Sequence, residues 1–128
     1  MNYYFNKTIK GNFDEVIAKV TAELKTEGFG VLTEIDMKKT LKSKLDVDLR
    51  NYKILGACNP TFAYKALQAE DKIGTMLPCN VIVQELEDGV IEVAAVNPMA
   101  SMQAVENDKL KGVAGDVTLM MENVIKRL

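Results

Sequence analysis

The chain has 128 residues, 48% hydrophobic and 27% charged, with a formal net charge of -2 and a pI near 5.2. That length fits one domain over residues 1–128, and the acidic balance excludes broad binding to a nucleic-acid backbone, which needs a dominant basic face. With no histidine and only two cysteines, a single chain has no Ser-His-Asp triad, no Cys-His dyad, no zinc site that needs imidazole and no four-thiolate site.

Residues Met1 to Lys7 lack the charged-then-apolar order of a secretory signal, and no apolar run approaches the roughly 20 residues of a membrane span. The expected location is the cytoplasm, where thiols stay reduced. Tyr3 to Ile9, rich in aromatic and β-branched residues, reads as a strand that ends at Gly11. Asn12, three residues before Glu15, then opens a helix. Its apolar positions Phe13, Val16, Ile17, Val20 and Leu24 keep helical spacing, and Gly28 supplies a left-handed stop.

Phe29 to Ile35 reads as the second strand. Asp36 caps a short helix carrying Met37, Leu41 and Leu45, with lysines on its other faces. The segment Asp36 to Lys53 is the one locally basic stretch, and a solvated helix face explains it more simply than an anion site. After a turn, Tyr52 to Ala57 forms the third strand. Asn59 stands at an N-cap position with Pro60 at the first helical position, where a missing N–H costs nothing, and the helix runs to about Glu70.

Pro78 to Leu86 and Val90 to Val96 read as a hairpin around Asp88-Gly89. Asn97-Pro98 repeats the Asn59-Pro60 signal and opens a short turn containing Met99 and Met102. An amphipathic helix from Leu110 to Leu128 closes the chain. Gly112 and Gly115 lie inside it, each weakening a helix by about 1 kcal/mol relative to alanine, so close backbone packing is expected there as compensation. The order β-α-β-α-β-α-β-β-α predicts an α+β fold: a mostly antiparallel five-stranded sheet with helices on one face.

The most informative feature is the pairing of Ile54-Leu55-Gly56-Ala57-Cys58-Asn59-Pro60 with Leu77-Pro78-Cys79-Asn80-Val81. Each cysteine is followed by asparagine and sits where an apolar run meets a proline, which marks two element boundaries. With Gly28 to Ile35 and the Asn97-Pro98 turn, these motifs make the whole chain resemble the domain-of-unknown-function family 302. The resemblance implies a compact α+β domain, laid out like the TATA-binding-protein-like folds and usually homodimeric. It implies no established activity, substrate or cofactor, and the layout is no argument for DNA binding here.

Cys58, Asn59, Cys79, Asn80 and Asn97 are the candidate ligand-binding residues, because special residue types gather at these element ends. Each has a plainer reading: the cysteines as small buried hydrophobes, the asparagines as caps. Met76, Met99 and Met102 add soft sulfur near the thiols, but methionine more often fills core gaps, and no metal site is expected. Glu85, Glu87, Asp88 and Glu92 read as a solvated turn, and Tyr52 and Tyr64 as candidates for the edge of a pocket. No catalytic residue and no cofactor emerge.

Two functions follow. The leading one is a non-catalytic small-ligand or protein-interaction domain with its site at the Cys58/Cys79 end of the sheet. The alternative is a thiol-dependent redox protein or enzyme using Cys58, with or without Cys79. A homodimer is expected from the apolar face of the tail helix at Met120, Met121, Val124 and Ile125, from the sheet edge and from the resemblance.

Overall fold

Period-two alternation along the strands sets the architecture. In the computed structural model, which describes residues 2–128, five strands form one antiparallel sheet in the order β1-β5-β4-β3-β2. These are β1 (Tyr4–Lys10), β2 (Gly30–Asp36), β3 (Tyr52–Cys58), β4 (Cys79–Glu87) and β5 (Val90–Val96). The register aligns Leu55 with Val81 and Val81 with Ala95, while Val83 pairs with Val93. All five side chains point to one face and are buried.

The helices are α1 (Phe13–Thr26), α2 (Met37–Leu45), α3 (Pro60–Ala69), α4 (Pro98–Ser101) and α5 (Asp108–Lys126), with a 3-10 turn at Asp71–Met76. Val16, Val20 and Leu24 of α1 join Val117, Met121, Val124 and Ile125 of α5 over the buried sheet face in one main core. Across that layer, Arg127 donates from Nε to Glu23 at 2.7 Å and from Nη2 to Thr26 at 2.7 Å, tying α5 to α1. Lys7 donates to the backbone oxygens of Lys126 and Leu128, tying α5 to β1.

The order of elements expected from the sequence is the order observed. Asn12, Asp36 and Asn97 each accept a first-turn amide, as N-caps do. Gly28 takes φ 84° just past α1, the left-handed conformation expected of it.

Three expectations are corrected. Gly112 and Gly115 carry no close packing, since a Cβ at either would meet nothing within 4 Å. The apolar face of α5 is no free surface, because Met121, Val124 and Ile125 are buried in the chain's own core. Asn59 occupies the N-cap position of α3, but its side chain makes no cap hydrogen bond.

The other sheet face is the open one. Ile35 pairs with Ile54, Ile54 with Ile82 and Ile82 with Ala94, an apolar row crossing four strands. These side chains are half-buried, and Ile35 is exposed. Tyr4 and Val96 extend the apolar surface at the β1 end, where they pair. Beside the row, Asn6 and Gln84 both donate to Glu92, at 3.0 and 2.7 Å, forming a polar ladder across the sheet.

Candidate functional site

Gly56 shows why the two Cys-Asn motifs meet. A Cβ at this position would lie 2.2 Å from Thr33 Oγ1 and 2.9 Å from Pro78 Cγ. Only glycine lets the β2 side chain and the Pro78 ring close over β3 from both sides. That closure brings the end of β3 and the start of β4 together: Ala57 pairs with Cys79, and Gly56 with Asn80. Cys58 stands one residue beyond the partner of Cys79. The two cysteines are therefore diagonal rather than directly paired across the strands, and both border one cavity. Both thiols are free.

At this end of the sheet, α3 and α5 leave an apolar cavity of about 290 Å³ against the strands. Phe29, Ala57 and Cys79 line it from the sheet side; Phe62, Ala63 and Ala66 from α3; Val113, Ala114 and Val117 from α5. Leu77, Pro78, Pro98 and Met102 close the wall, and Leu32, Thr33, Cys58 and Asn59 border it near β2. No charged residue is among those that line it. Ala57, Ala63, Ala66 and Ala114 create the space, because larger side chains at these inward positions would fill it.

Leu32 reaches the site through a bulge. The β2–β3 register slips between Val31 and Thr33, and Leu32 is left 69% exposed beside the cavity. Burial pushes the Cys79 thiol up to about 11, with the neighbouring Cys58 adding in the same direction. Such a thiol stays protonated at neutral pH and is a poor nucleophile.

Asn59 has a different task from the one expected. Its Nδ2 donates to the backbone oxygen of Glu27 at 3.1 Å and contacts Met120 Sδ at 3.8 Å. The Glu27 oxygen lies just beyond the end of α1, where carbonyls have no partner within the helix. Asn59 thus ties the end of α1 to the start of α3 over Gly28, where a Cβ would lie 3.0 Å from the amide nitrogen.

The five candidate residues do not converge. Cys58, Asn59 and Cys79 border the cavity; Asn80 and Asn97 do not. Asn80 is exposed on the open sheet face, one strand position out of phase with Cys79, and lines a groove there with Tyr4, Tyr52 and Ile82. Asn97 is buried and fully engaged: Oδ1 accepts from Met99 N at 3.1 Å and from Thr118 Oγ1 at 3.3 Å, while Nδ2 donates to Asn2 O at 3.0 Å. Its neighbour Pro98 is what touches the cavity. Neither tyrosine lies at the cavity, and Tyr64 is 65% exposed. Of the three methionines, only Met102 reaches it. Among the described residues, no group of three or more acidic, cysteine or histidine side chains could hold a metal ion.

A second, polar hollow lies at the far end of the sheet, where Asp14, Asp36, Lys39, Lys53, Glu85 and Asp88 mix both charge signs. Two of its groups are engaged locally. Glu85 accepts from Asn51 Nδ2 at 2.9 Å and from Gly89 N at 3.1 Å, bonds that hold its carboxyl below the usual range and fix the hairpin turn. Lys53 pairs with Glu34 at 2.8 Å.

Comparison with known proteins agrees with the fold. The family described as "Domain of unknown function DUF302" matches residues 5–128. A crystal structure of an uncharacterised conserved DUF302 protein from Bacillus stearothermophilus superposes with a TM-score of 0.89 at 26% identity, covering 98% of this chain and 97% of that one. A search of curated proteins finds no match. With the family model matching residues 5–128 and the fold in agreement over nearly the whole length, the chain belongs to the DUF302 family.

Proposed function

We propose that this protein is a non-catalytic binding domain whose ligand is a small, uncharged, apolar molecule or group held between the Cys58/Cys79 end of the sheet and helices α3 and α5. The observation that carries the reading is the cavity of about 290 Å³ with no charged lining residue. It exceeds the roughly 150 Å³ apolar cavity that accepts a benzene ring and approaches the lower size of ordinary ligand pockets, about 300 Å³. Thr33, Cys58, Asn59, Cys79 and Met102 are its polar or sulfur-bearing wall. The thiol-redox alternative, using Cys58 with or without Cys79, gains nothing from Cys79, because burial keeps that thiol protonated. Free thiols accord with a cytoplasmic setting. No helix among the described residues is long and apolar enough to cross a membrane.

Indole suits as a probe: two fused rings, neutral, and fluorescent in a protein that has no tryptophan. Calorimetry is expected to show indole binding at least about tenfold tighter than indole-3-carboxylate, whose charge would lose water to an uncharged wall. Equal affinities would contradict the reading.

The homodimer reading rests on the open sheet face, since α5 is consumed internally. Five strands of seven or more residues span roughly 24 Å by 23 Å, about 550 Å² per copy. Two copies stacked face to face would bury roughly 1,100 Å², just above the ~1,000 Å² of a specific interface. Replacing Ile82 with glutamate puts a charge at the centre of the apolar row. Sedimentation should show a dimer for the natural chain and a monomer for Ile82→Glu; a natural chain that stays monomeric at 100 μM, on the order of a weak interface's range, would remove this reading.

A further inference from the structure

The apolar interior is divided. Besides the main core, Ala66, Ile73, Met102, Leu110 and Ala114 form a second buried cluster. It is built by the 3-10 turn, the segment around α4 and the first half of α5, which together make a cap over one end of the molecule and pack on Ala66 of α3. The cavity lies along the seam. Phe29, Ala57 and Cys79 face it from the main core, and Ala66, Met102 and Ala114 from the cap cluster. Across the cavity the two clusters make no direct dispersion contacts with each other.

The cap is also where α5 is weakest. Gly112 and Gly115 both lie in its first half, and a methyl group added at either would meet no neighbour within 4 Å. They therefore gain nothing from packing that offsets their cost in a helix. Beyond Ala114, the same helix turns its buried residues into the main core through Val117, Met121 and Val124. One helix therefore spans both clusters, and its glycines lie on the cap side.

From the placement of the cavity on this seam, we infer that the cap opens as a unit more readily than the sheet and that a ligand filling the cavity fastens it to the main core. This rests on the ligand-binding reading above, and it makes the order of the cap a readout of occupancy. The cap carries partly exposed Met76 and Met99, so fastening would also fix the surface that these side chains present.

Hydrogen exchange on the full chain tests each step. Without ligand, amides of the cap, residues 71–76 and 98–116, should exchange through openings distinctly more frequent than those of β4 and β5. The double variant Gly112→Ala/Gly115→Ala, for which there is room, should raise cap protection by about tenfold by strengthening the helix. Indole at about ten times its dissociation constant should raise protection of the same amides by about tenfold, with amides of α2 unchanged. Cap amides as protected as the sheet in the free protein would overturn the inference. So would indole binding that leaves cap protection unchanged, although the ligand-binding reading would survive that result. A failure of indole to bind, seen by calorimetry, would overturn both.

Discussion

Asn59 shows how one side chain holds two element ends in place. Its amide group donates to the Glu27 carbonyl, so the role depends on Nδ2. Asn59→Asp removes that donor and sets a carboxylate against a carbonyl oxygen, and should cost about 1–3 kcal/mol in denaturant unfolding. Because no side-chain cap is present to be preserved, aspartate should be no better than alanine here; an aspartate variant as stable as the natural chain would show that the Glu27 bond contributes nothing. Cys79 makes a pH-dependent contribution. Its folded-state pKa, about 11, lies above the reference 9.0, so the unfolded chain releases its proton first. The thiol's contribution is therefore complete below about pH 9 and is lost as pH rises through 11, on the order of 3 kcal/mol in all. Urea unfolding between pH 8 and 11 should show this decline in the natural chain and a shallower one in Cys79→Ala. Equal slopes would place Cys79 in a more solvated site than the structure gives it.

At the scale of elements, local chemistry determines most of what the sequence reveals. Asn12, Asp36 and Asn97 cap helices through neighbours within three residues, and the Asp88-Gly89 turn joins adjacent strands, so each leaves a short-range signature. Asn59 carries the same signature but follows a long-range one: its partner is 32 positions away, beyond the reach of a local pattern. Asn80 departs from expectation for a related reason. Adjacent strand residues face opposite ways, so Cys79 and Asn80 share a motif and divide between two faces. Gly112 and Gly115 suggest a tight helix contact, whereas the structure leaves open space beside both. Alanines at 57, 63, 66 and 114 are the available trace of the cavity, yet in sequence a small residue beside a void looks the same as one in close packing.

For the molecule as a whole, the sheet separates two surfaces of different character. One face is covered by α1 and α5 and, where α3 and α5 part, encloses the uncharged cavity. The other is open, with an apolar row from Ile35 to Ala94 and a polar ladder at Glu92. The proposed ligand site and the proposed self-association surface therefore lie on different faces and need not compete. The central claim concerns the cavity, and the most direct measurement is a fluorescence titration of indole against the natural chain and Ala63→Phe. Ala63 is half-buried on the cavity wall, where a phenyl ring would occupy the space a ligand needs without entering the main core. The natural chain should bind one indole, and Ala63→Phe should bind at least about tenfold more weakly while its unfolding midpoint changes by no more than roughly 1 kcal/mol equivalent. Equal indole affinity in the two proteins, or no saturable binding to the natural chain, would contradict a ligand site in this cavity.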